Sequence, residues 1–376
     1  MGPASKVVLV GLLVVAGALL VLVAIAKRWP VKALAAVLAL VVALFSGALM
    51  VNDYYGYYTS WSAAWEDLNG SGNAYAVHAS TDEQRSLRVP TGQLLTVRLP
   101  GPTSGIDRAG LVYLPPQYGQ AAYRSVRFPV LELLHGTPGD PASWVTGLHT
   151  PRYEDSLLAA RAMGPVVLVM PDSNGGLRSG EECLDTPTSK DDTYVSQDVP
   201  ADVRSRFRVS RDPAQWGLLG FSSGGYCAAN LMLRHRDRFG SMAAIDGYYQ
   251  PTHGPAAAVL ANKPAAEAAN DPLRAALNLA PGVVPLPACW IAADTGQSDD
   301  YAAGVAFARA LRRLESVPFV VEHGANHTIA GARAVLPSAL EWSWQQLAGP
   351  DLRVRFPTGT AQPPRSPTPD QTRVSG

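Results

Sequence analysis

Two long apolar runs open the chain and differ from everything that follows them. Residues 7–26 and 33–51 contain no charged side chain, and each run is close to the length that an α-helix needs to cross about 30 Å of hydrocarbon. The short segment between them holds three cations and a proline. The pattern predicts two membrane-spanning helices joined by a tight turn, which together form a hairpin over residues 1–52.

The cations predict how this hairpin is oriented. Short loops rich in Lys and Arg stay on the cytoplasmic side of a membrane. The turn carries Lys27, Arg28 and Lys32, whereas only Lys6 precedes the first run. The prediction is a two-pass protein of the cell membrane, with the lipid bilayer as a partner, whose turn is cytoplasmic and whose remaining chain is extracytoplasmic. Two alternatives stay open: Ala24–Ala26 is similar to the cleavage site of a secretory signal, and both runs could be helices inside a soluble core.

Beyond a connector at 53–90, the apolar pattern changes to short runs that alternate with helix-length segments. The strand-like runs are 94–99, 110–114, 130–134, 166–170, 216–220 and 288–293, and the helical candidates are 153–162, 226–235, 301–314 and 331–346. This alternation predicts a mostly parallel sheet covered by helices on both faces, in a domain over 91–349. Residues 350–376 are rich in Pro, Thr and Ser and are expected to form a disordered tail.

Composition narrows the function classes. Only 16% of the residues are charged, against about 25% in soluble domains; the first 60 residues carry five of the 62 charges, and the other 316 residues carry 57. A net charge of zero argues against a nucleic-acid partner, which would favour clustered Lys and Arg. Three cysteines are too few for a disulfide scaffold. The sequence contains no metal-ligand spacing and no phosphate-binding glycine loop, so neither a metal nor a cofactor is expected.

The most informative motif is Gly-x-Ser-x-Gly at 220–224. It follows an apolar strand and precedes a helix start rich in small residues, which is the context of a serine nucleophile on a sharp strand-to-helix turn. Ser222 is the candidate nucleophile. The amide of Ser223, at the positive end of the helix, is a candidate donor to the substrate oxyanion. The alternative is a structural turn in a scaffold without chemistry.

Two further loops supply the remaining candidates for an oxyanion donor and a base. The strand at 130–134 runs into His135, Gly136 and Thr137, where glycine allows close backbone approach, so the amide of Thr137 is the second candidate oxyanion donor. A catalytic histidine is expected late in the chain. His327, just before a predicted helix, is preferred to His323, and His135 is expected to have a packing or positioning role.

The acid of the expected triad is not decided by the residues alone. It should follow the strand at 288–293, and three carboxylates do so: Asp294, Asp299 and Asp300. The acid must turn inward to hold the imidazole in one tautomer and stabilise its charged form. Any of the three satisfies the chain order of serine, acid and histidine.

These motifs together resemble the esterase D and antigen 85 type of α/β-hydrolase. The residues that carry the resemblance are Leu133–Thr137, Trp144, the turn at 220–225, Trp290–Ile291, Gly296, Asn326–Thr328 and Leu340–Trp342. The resemblance covers about 90–345 and implies an α/β-hydrolase fold with a serine acyl-enzyme. In the antigen 85 pattern the acid falls four residues after the loop glycine, which implies Asp300, and Thr137 is implied as an oxyanion donor. The two-span anchor departs from that branch, and no trehalose site or acyl channel is identifiable.

Cys183 and Cys227 are candidates for a disulfide, because an extracytoplasmic domain tolerates one and Cys227 lies just past the nucleophile turn. The alternative is three free cysteines.

The sequence as a whole predicts a membrane-anchored serine esterase or acyltransferase that acts on an ester or acyl donor, including lipid or cell-envelope esters. The alternative from another class is a catalytically silent hydrolase-fold protein of the envelope that serves as a binding or assembly module.

Overall fold

The structure is a computed structural model. It describes residues 6–55, 61, 65, 92–175, 182–251, 258–279, 286–296, 298–313, 317–322 and 327–358. Most of the predicted connector, His323 and residues 359–376 of the predicted tail lie outside this part of the chain.

The N-terminal hairpin consists of helices α1 (Lys6–Ile25) and α2 (Trp29–Tyr55). The two helices pack against each other, and the buried residues of α2 are mostly small: they are Ala35, Ala39, Ser46, Leu49 and Asn52. Small side chains allow two helix backbones to approach closely, as they do in membrane helix pairs. Length and composition allow each helix to cross a membrane, and the apolar window of α1 has no residue buried inside the protein, unlike a core helix.

The turn of the hairpin is shorter than the sequence indicates. The predicted turn reaches Lys32, whereas α2 begins at Trp29 and continues to Tyr55, beyond the predicted end of the second run. Pro30 explains the early start, because a proline in the first turn of a helix loses no hydrogen bond and has a φ suited to the helix. Lys27 and Arg28 remain in the turn, and Lys32 belongs to the first turns of α2.

An eight-stranded sheet forms the centre of the domain, in the order β1-β2-β4-β3-β5-β6-β7-β8. The strands are β1 (Gln93–Gly101), β2 (Ile106–Leu114), β3 (Val130–Leu134), β4 (Val167–Pro171), β5 (Trp216–Phe221), β6 (Ser241–Ile245), β7 (Ala288–Asp294) and β8 (Phe319–Glu322). β1 and β2 are antiparallel to each other, and β2 is antiparallel to β4, while the pairs from β4 across to β8 are parallel. The prediction of a mostly parallel sheet is therefore confirmed.

Helices cover the sheet and account for its burial. They are α3 (Thr150–Ala159), α4 (Val199–Arg206), α5 (Ser223–Arg234), α6 (Pro264–Ala269), α7 (Pro272–Asn278), α8 (Ser298–Arg312), α9 (Ile329–Leu347) and α10 (Pro350–Arg355). Every residue of β3, β4, β5 and β6 is buried, which is the pattern of a parallel sheet covered on both faces. The carboxyl ends of these parallel strands meet at one edge, where a ligand site is expected.

The domain does not end at 349 as the sequence indicates. α10 follows directly, its Leu352 is buried, and the Phe356 ring lies 6.4 Å from Trp344 and 5.0 Å from Tyr123 between centroids. Arg353 Nε donates to the Ala348 carbonyl at 2.8 Å. These apolar side chains find core partners although the surrounding composition is typical of disorder, so the predicted tail boundary is wrong by several residues.

Candidate active site

Ser222 lies at the point where β5 ends and α5 begins. Its backbone has φ 59° and ψ −123°, a strained conformation for a residue with a side chain. The turn is tight enough to require glycine: a Cβ on Gly220 would lie 1.9 Å from the Gly224 carbonyl oxygen, and one on Gly224 would lie 1.9 Å from the Leu134 oxygen. The Ser222 amide donates to the Ile245 carbonyl at 2.9 Å. The sequence around Ser222 thus fixes a turn that presents its hydroxyl at the carboxyl edge of the sheet.

His327 reaches this serine from the loop ahead of α9. Its Nε2 lies 2.8 Å from Ser222 Oγ. The loop is fixed on one side by Thr328, whose hydroxyl accepts a hydrogen bond from the Gly331 amide at 3.2 Å and caps the helix. On the other side the imidazole lies 5.4 Å from the Phe221 ring between centroids.

Asp300 is the carboxylate that the structure brings to this histidine. Its Oδ2 lies 2.8 Å from His327 Nδ1, close enough to hold the imidazole in one orientation. Asp299, one residue earlier on α8, is exposed to solvent. Asp294 is buried at the end of β7, where its carboxylate accepts a hydrogen bond from the Gly296 amide at 2.5 Å.

A second carboxylate near the imidazole was not foreseen from the sequence. Asp246 follows β6, is 1% exposed, and its Oδ1 accepts a hydrogen bond from the Asp294 amide at 2.9 Å. Burial raises the pKa of Asp246 to about 6, although the charge of His327 opposes this. Burial also opposes protonation of His327, but Asp300 and then the charges of Asp246 and Asp294 outweigh it, so the pKa of His327 is raised.

The two predicted oxyanion donors lie side by side. A Cβ on Gly136 would come within 3.1 Å of Ser222 Cβ, which shows how closely the loop after β3 approaches the nucleophile turn. Ser223 Oγ donates to Thr137 Oγ1 at 3.1 Å. Ser223 is the first residue of α5, where backbone amides have no acceptor within the helix and the helix dipole favours negative charge. This arrangement is suited to binding an oxyanion.

The loops after β3 and β4 are joined by two hydrogen bonds that sequence reasoning missed. The Ser173 amide donates to His135 Nε2 at 3.2 Å, and Asn174 Nδ2 donates to Thr137 Oγ1 at 2.8 Å. His135 Nδ1 lies 2.9 Å from the Gly136 carbonyl oxygen, so the imidazole connects the two loops and has a positioning role. Asp172 accepts hydrogen bonds from the amides of Asn174 and Gly175, which is a turn role. The string Pro-Asp-Ser-Asn-Gly at 171–175 is typical of a turn, but it does not indicate which residues the turn contacts.

Cys183 and Cys227 are joined by a disulfide, with Cα atoms 5.5 Å apart, and Cys289 is free and buried. The bond ties the segment around Cys183 to the first turns of α5, just beyond Ser222. Next to it, Glu182 is buried and accepts a hydrogen bond from the Tyr248 hydroxyl. Burial raises the pKa of Glu182 to about 7. Within the described segments, no group of His, Cys, Asp and Glu side chains could hold a metal ion.

Comparisons with known proteins identify the family. The family described as "Putative esterase" matches residues 102–344. An uncharacterised protein of Corynebacterium glutamicum is 30% identical over 226 residues, which are 57% of this chain and 51% of the relative. The chain thus spans about half the length of the curated relative that it matches.

Solved structures share the fold at low identity. A ferulic acid esterase superimposes with a TM-score of 0.57 at 20% identity, and the match covers 69% of this chain and 99% of the esterase chain. An S-formylglutathione hydrolase from Agrobacterium tumefaciens has a TM-score of 0.57 at 18% identity, over 69% and 97%. The Mycobacterium tuberculosis protein MPT51 has a TM-score of 0.50 at 17% identity, over 68% and 99%. The chain belongs to this esterase family and has the α/β-hydrolase fold.

Proposed function

We propose that the protein is a serine esterase or acyltransferase that attacks an ester carbonyl with Ser222 and is anchored in a membrane with its domain on the extracytoplasmic side. The observation that carries the proposal is the continuous contact from Ser222 Oγ to His327 Nε2 at 2.8 Å and from His327 Nδ1 to Asp300 Oδ2 at 2.8 Å. Membership of an esterase family supports the same chemistry. The ester hydrolases among the solved structures that share its fold support a carboxylic ester or thioester as the substrate class.

The acylation step follows from these contacts. His327 Nε2 takes the Ser222 proton as Oγ bonds to the carbonyl carbon, and the carbonyl π electrons move to the oxygen. Asp300 stabilises the imidazolium that forms. The amides of Thr137 and Ser223 donate to the new oxyanion, in a position prepared by the fold. When the carbonyl re-forms, the alkoxide leaves with the proton from His327, and the acyl group stays on Ser222.

Deacylation repeats these steps with a second nucleophile. Water, deprotonated by His327, gives the free acid, whereas a hydroxyl group of an acceptor gives a transferred ester. Both products return Ser222 to its starting state. The proposal covers both reactions.

Two observations support the extracytoplasmic side. Lys27 and Arg28 lie in the turn between α1 and α2, and short cation-rich loops stay in the cytoplasm, which leaves the chain after α2 on the other side. The Cys183–Cys227 disulfide is independent of this argument, because disulfides persist in oxidising compartments and are rare in a reducing cytosol.

A fluorophosphonate probe tests the nucleophile in the full-length protein. We expect the wild type to be labelled and Ser222→Ala to be unlabelled. Ser156→Ala is the matched control, because the Ser156 hydroxyl is bonded to the Arg152 carbonyl on α3, and it should label like the wild type. A folded wild type that is not labelled would support the silent binding module instead.

Topology is tested separately with reporters at the C-terminus of the whole chain. Alkaline phosphatase, which is active only outside the cytoplasm, should be active there, and a fluorescent protein that folds only in the cytoplasm should be dark. The opposite pair of results would reverse the orientation without affecting the catalytic proposal.

A further inference from the structure

The side chain of Thr137 lies at a junction of hydrogen bonds beside the nucleophile. Thr137 Oγ1 accepts one hydrogen bond from Ser223 Oγ at 3.1 Å and another from Asn174 Nδ2 at 2.8 Å. Asn174 is 3% exposed, whereas Thr137 is only partly buried. The two donors come from different elements, α5 and the loop after β4, and both use the same oxygen as acceptor.

A hydroxyl group has one hydrogen to donate and two lone pairs that accept. Since Ser223 and Asn174 occupy both acceptor directions of Thr137 Oγ1, the Thr137 hydrogen must point in the remaining direction. Thr137 is not fully buried, and a Cβ on its neighbour Gly136 would lie 3.1 Å from Ser222 Cβ and 3.6 Å from Ser222 Oγ, so this loop runs beside the nucleophile. The free direction of the hydroxyl is therefore available to a group bound at Ser222.

We propose that the Thr137 hydroxyl is a third oxyanion donor, in addition to the amides of Thr137 and Ser223. This inference rests on the proposed function. As Ser222 Oγ bonds to the carbonyl carbon, the carbonyl oxygen gains the electron pair and accepts a hydrogen bond from Thr137 Oγ1. The Thr137 proton stays on Thr137 throughout, so no proton is gained or lost. A donor aimed at an ion is worth more than one aimed at a neutral carbonyl, and the effect is therefore mainly on the transition state.

Asn174 is a positioning residue in this arrangement. The backbone amide of Asn174 donates to Asp172 Oδ1 at 3.2 Å, and the backbone amide of the adjacent Ser173 donates to His135 Nε2 at 3.2 Å. These bonds fix the backbone of the loop from which Asn174 reaches Thr137. Because the Asn174 side-chain amide donates to Thr137 Oγ1, the Thr137 hydroxyl cannot turn its hydrogen toward that loop. The hydroxyl is therefore already oriented in the folded protein and need not reorient during the reaction.

The test is the pair Thr137→Val and Thr137→Ser in the full-length enzyme. Valine has nearly the shape of threonine and keeps the backbone amide, but it lacks the hydroxyl. For a soluble p-nitrophenyl ester we expect Thr137→Val to lower kcat by about 10- to 100-fold with little change in KM. The affinity for a boronic acid that mimics the tetrahedral intermediate should fall by a similar factor. Thr137→Ser should retain most of both.

Asn174→Ala gives a second and smaller test, because it leaves the Thr137 hydroxyl in place but allows it to rotate. A loss of kcat of about 3- to 10-fold, again with boronic acid affinity falling in parallel, is expected. If valine is not tolerated at 137, Thr137→Ala replaces it with the same expected result. Circular dichroism and the thermal midpoint in detergent establish that each variant is folded.

The outcomes separate this inference from the proposed function. A folded Thr137→Val enzyme with kcat within about 2-fold of the wild type would overturn the third donor, while Ser222→Ala would still be inactive. Equal losses in Thr137→Val and Thr137→Ser would also overturn it, because the hydroxyl would then not be the group that matters. A wild type that neither hydrolyses esters nor reacts with the fluorophosphonate would instead overturn the proposed function itself.

Discussion

The N-terminal hairpin and the central sheet are built from the same residue types but bury them in opposite ways. Val14 on α1 and Leu44 on α2 are each 67% exposed, whereas Leu218 and Leu219 in β5 are fully buried. In the domain, helices cover both faces of the sheet. In the hairpin, each helix covers only one face of the other. The apolar face that remains exposed on each helix is favourable in a hydrocarbon environment. The two regions therefore differ in what surrounds their apolar side chains and not in their composition.

Polar side chains show the same contrast. In the hairpin, Ser46 is buried and its hydroxyl donates to the Val42 carbonyl of the same helix at 2.7 Å, so it needs no partner elsewhere. In the domain, Asp246 and Asp294 are buried together beside His327 and act on its pKa. Ser46 thus satisfies its hydroxyl within its own helix, while the domain gathers charges at one site. Chemistry should therefore depend on the domain and anchoring on the hairpin.

The largest expected effect is on catalysis and should leave anchoring unchanged. Asp300→Asn retains the shape of the side chain but removes the charge that faces His327 Nδ1. We expect kcat to fall by about 10²- to 10⁴-fold. Asp299→Asn is the matched control, because its exposed neighbour should change kcat by less than about 2-fold. Hydrolysis of a p-nitrophenyl ester gives kcat, and sedimentation with membranes should be identical for both variants. A loss shared equally by the two would contradict the assignment of the acid.

Why the sequence left this acid undecided is visible at the start of α8. Successive helix residues point about 100° apart, so two adjacent aspartates cannot both face the imidazole, and the choice depends on where the helix begins. It begins at Ser298, with Asp300 turned inward and Asp299 toward solvent. No local pattern specifies that starting residue. The resemblance to antigen 85 supplied the choice that spacing alone could not.

The nucleophile turn at 220–224 and most of the strands were predictable for the opposite reason. Gly220, Ser222 and Gly224 fix a tight turn by sterics, and short apolar runs identified most of the strands. β6 (Ser241–Ile245) was missed, because Ser, Met and Ala are weak strand formers and the run is short. Asp246 follows that strand and was missed with it. Contacts between loops, such as Asn174 with Thr137, depend on strand order and lie beyond any local pattern.

A matched pair of truncations sharpens the comparison between the two apolar regions. Leu219→Ala removes a fully buried side chain from β5 and should lower the free energy of unfolding of the domain by about 2–5 kcal/mol. Leu44→Ala removes a side chain that is 67% exposed and should change this free energy by less than about 0.5 kcal/mol. Denaturant unfolding in detergent, followed by tryptophan fluorescence, measures both. Similar losses would mean that the outer face of α2 packs against the domain.

Removing the disulfide should have an intermediate effect confined to the domain. The bond closes a loop with a sequence separation of 44 residues, and a crosslink of this size stabilises by about 2–4 kcal/mol in the chain-entropy account. The double variant Cys183→Ser, Cys227→Ser should lose this amount in the same unfolding measurement. Reductant should lower the stability of the wild type to the level of the variant and leave the variant unchanged. If reductant does not change the free energy of unfolding of the wild type, the disulfide does not form.

The smallest expected effect is the pH dependence of the domain. A rise in pH should increase its activity and decrease its stability. His327 must be neutral to accept the Ser222 proton, and its pKa is raised, so activity should rise with pH through a window above the ordinary value of 6.5. The protonated imidazole is the form that its carboxylates stabilise. That contribution to the free energy of folding is complete below the pKa of His327 in the unfolded chain and is lost as pH rises through its pKa in the folded protein.

Asp246→Asn removes one of those charges and should move the rise in kcat/KM to lower pH, while Asp299→Asn should leave it in place. A shift to higher pH in Asp246→Asn would mean that Asp246 does not act on the imidazole as a charge.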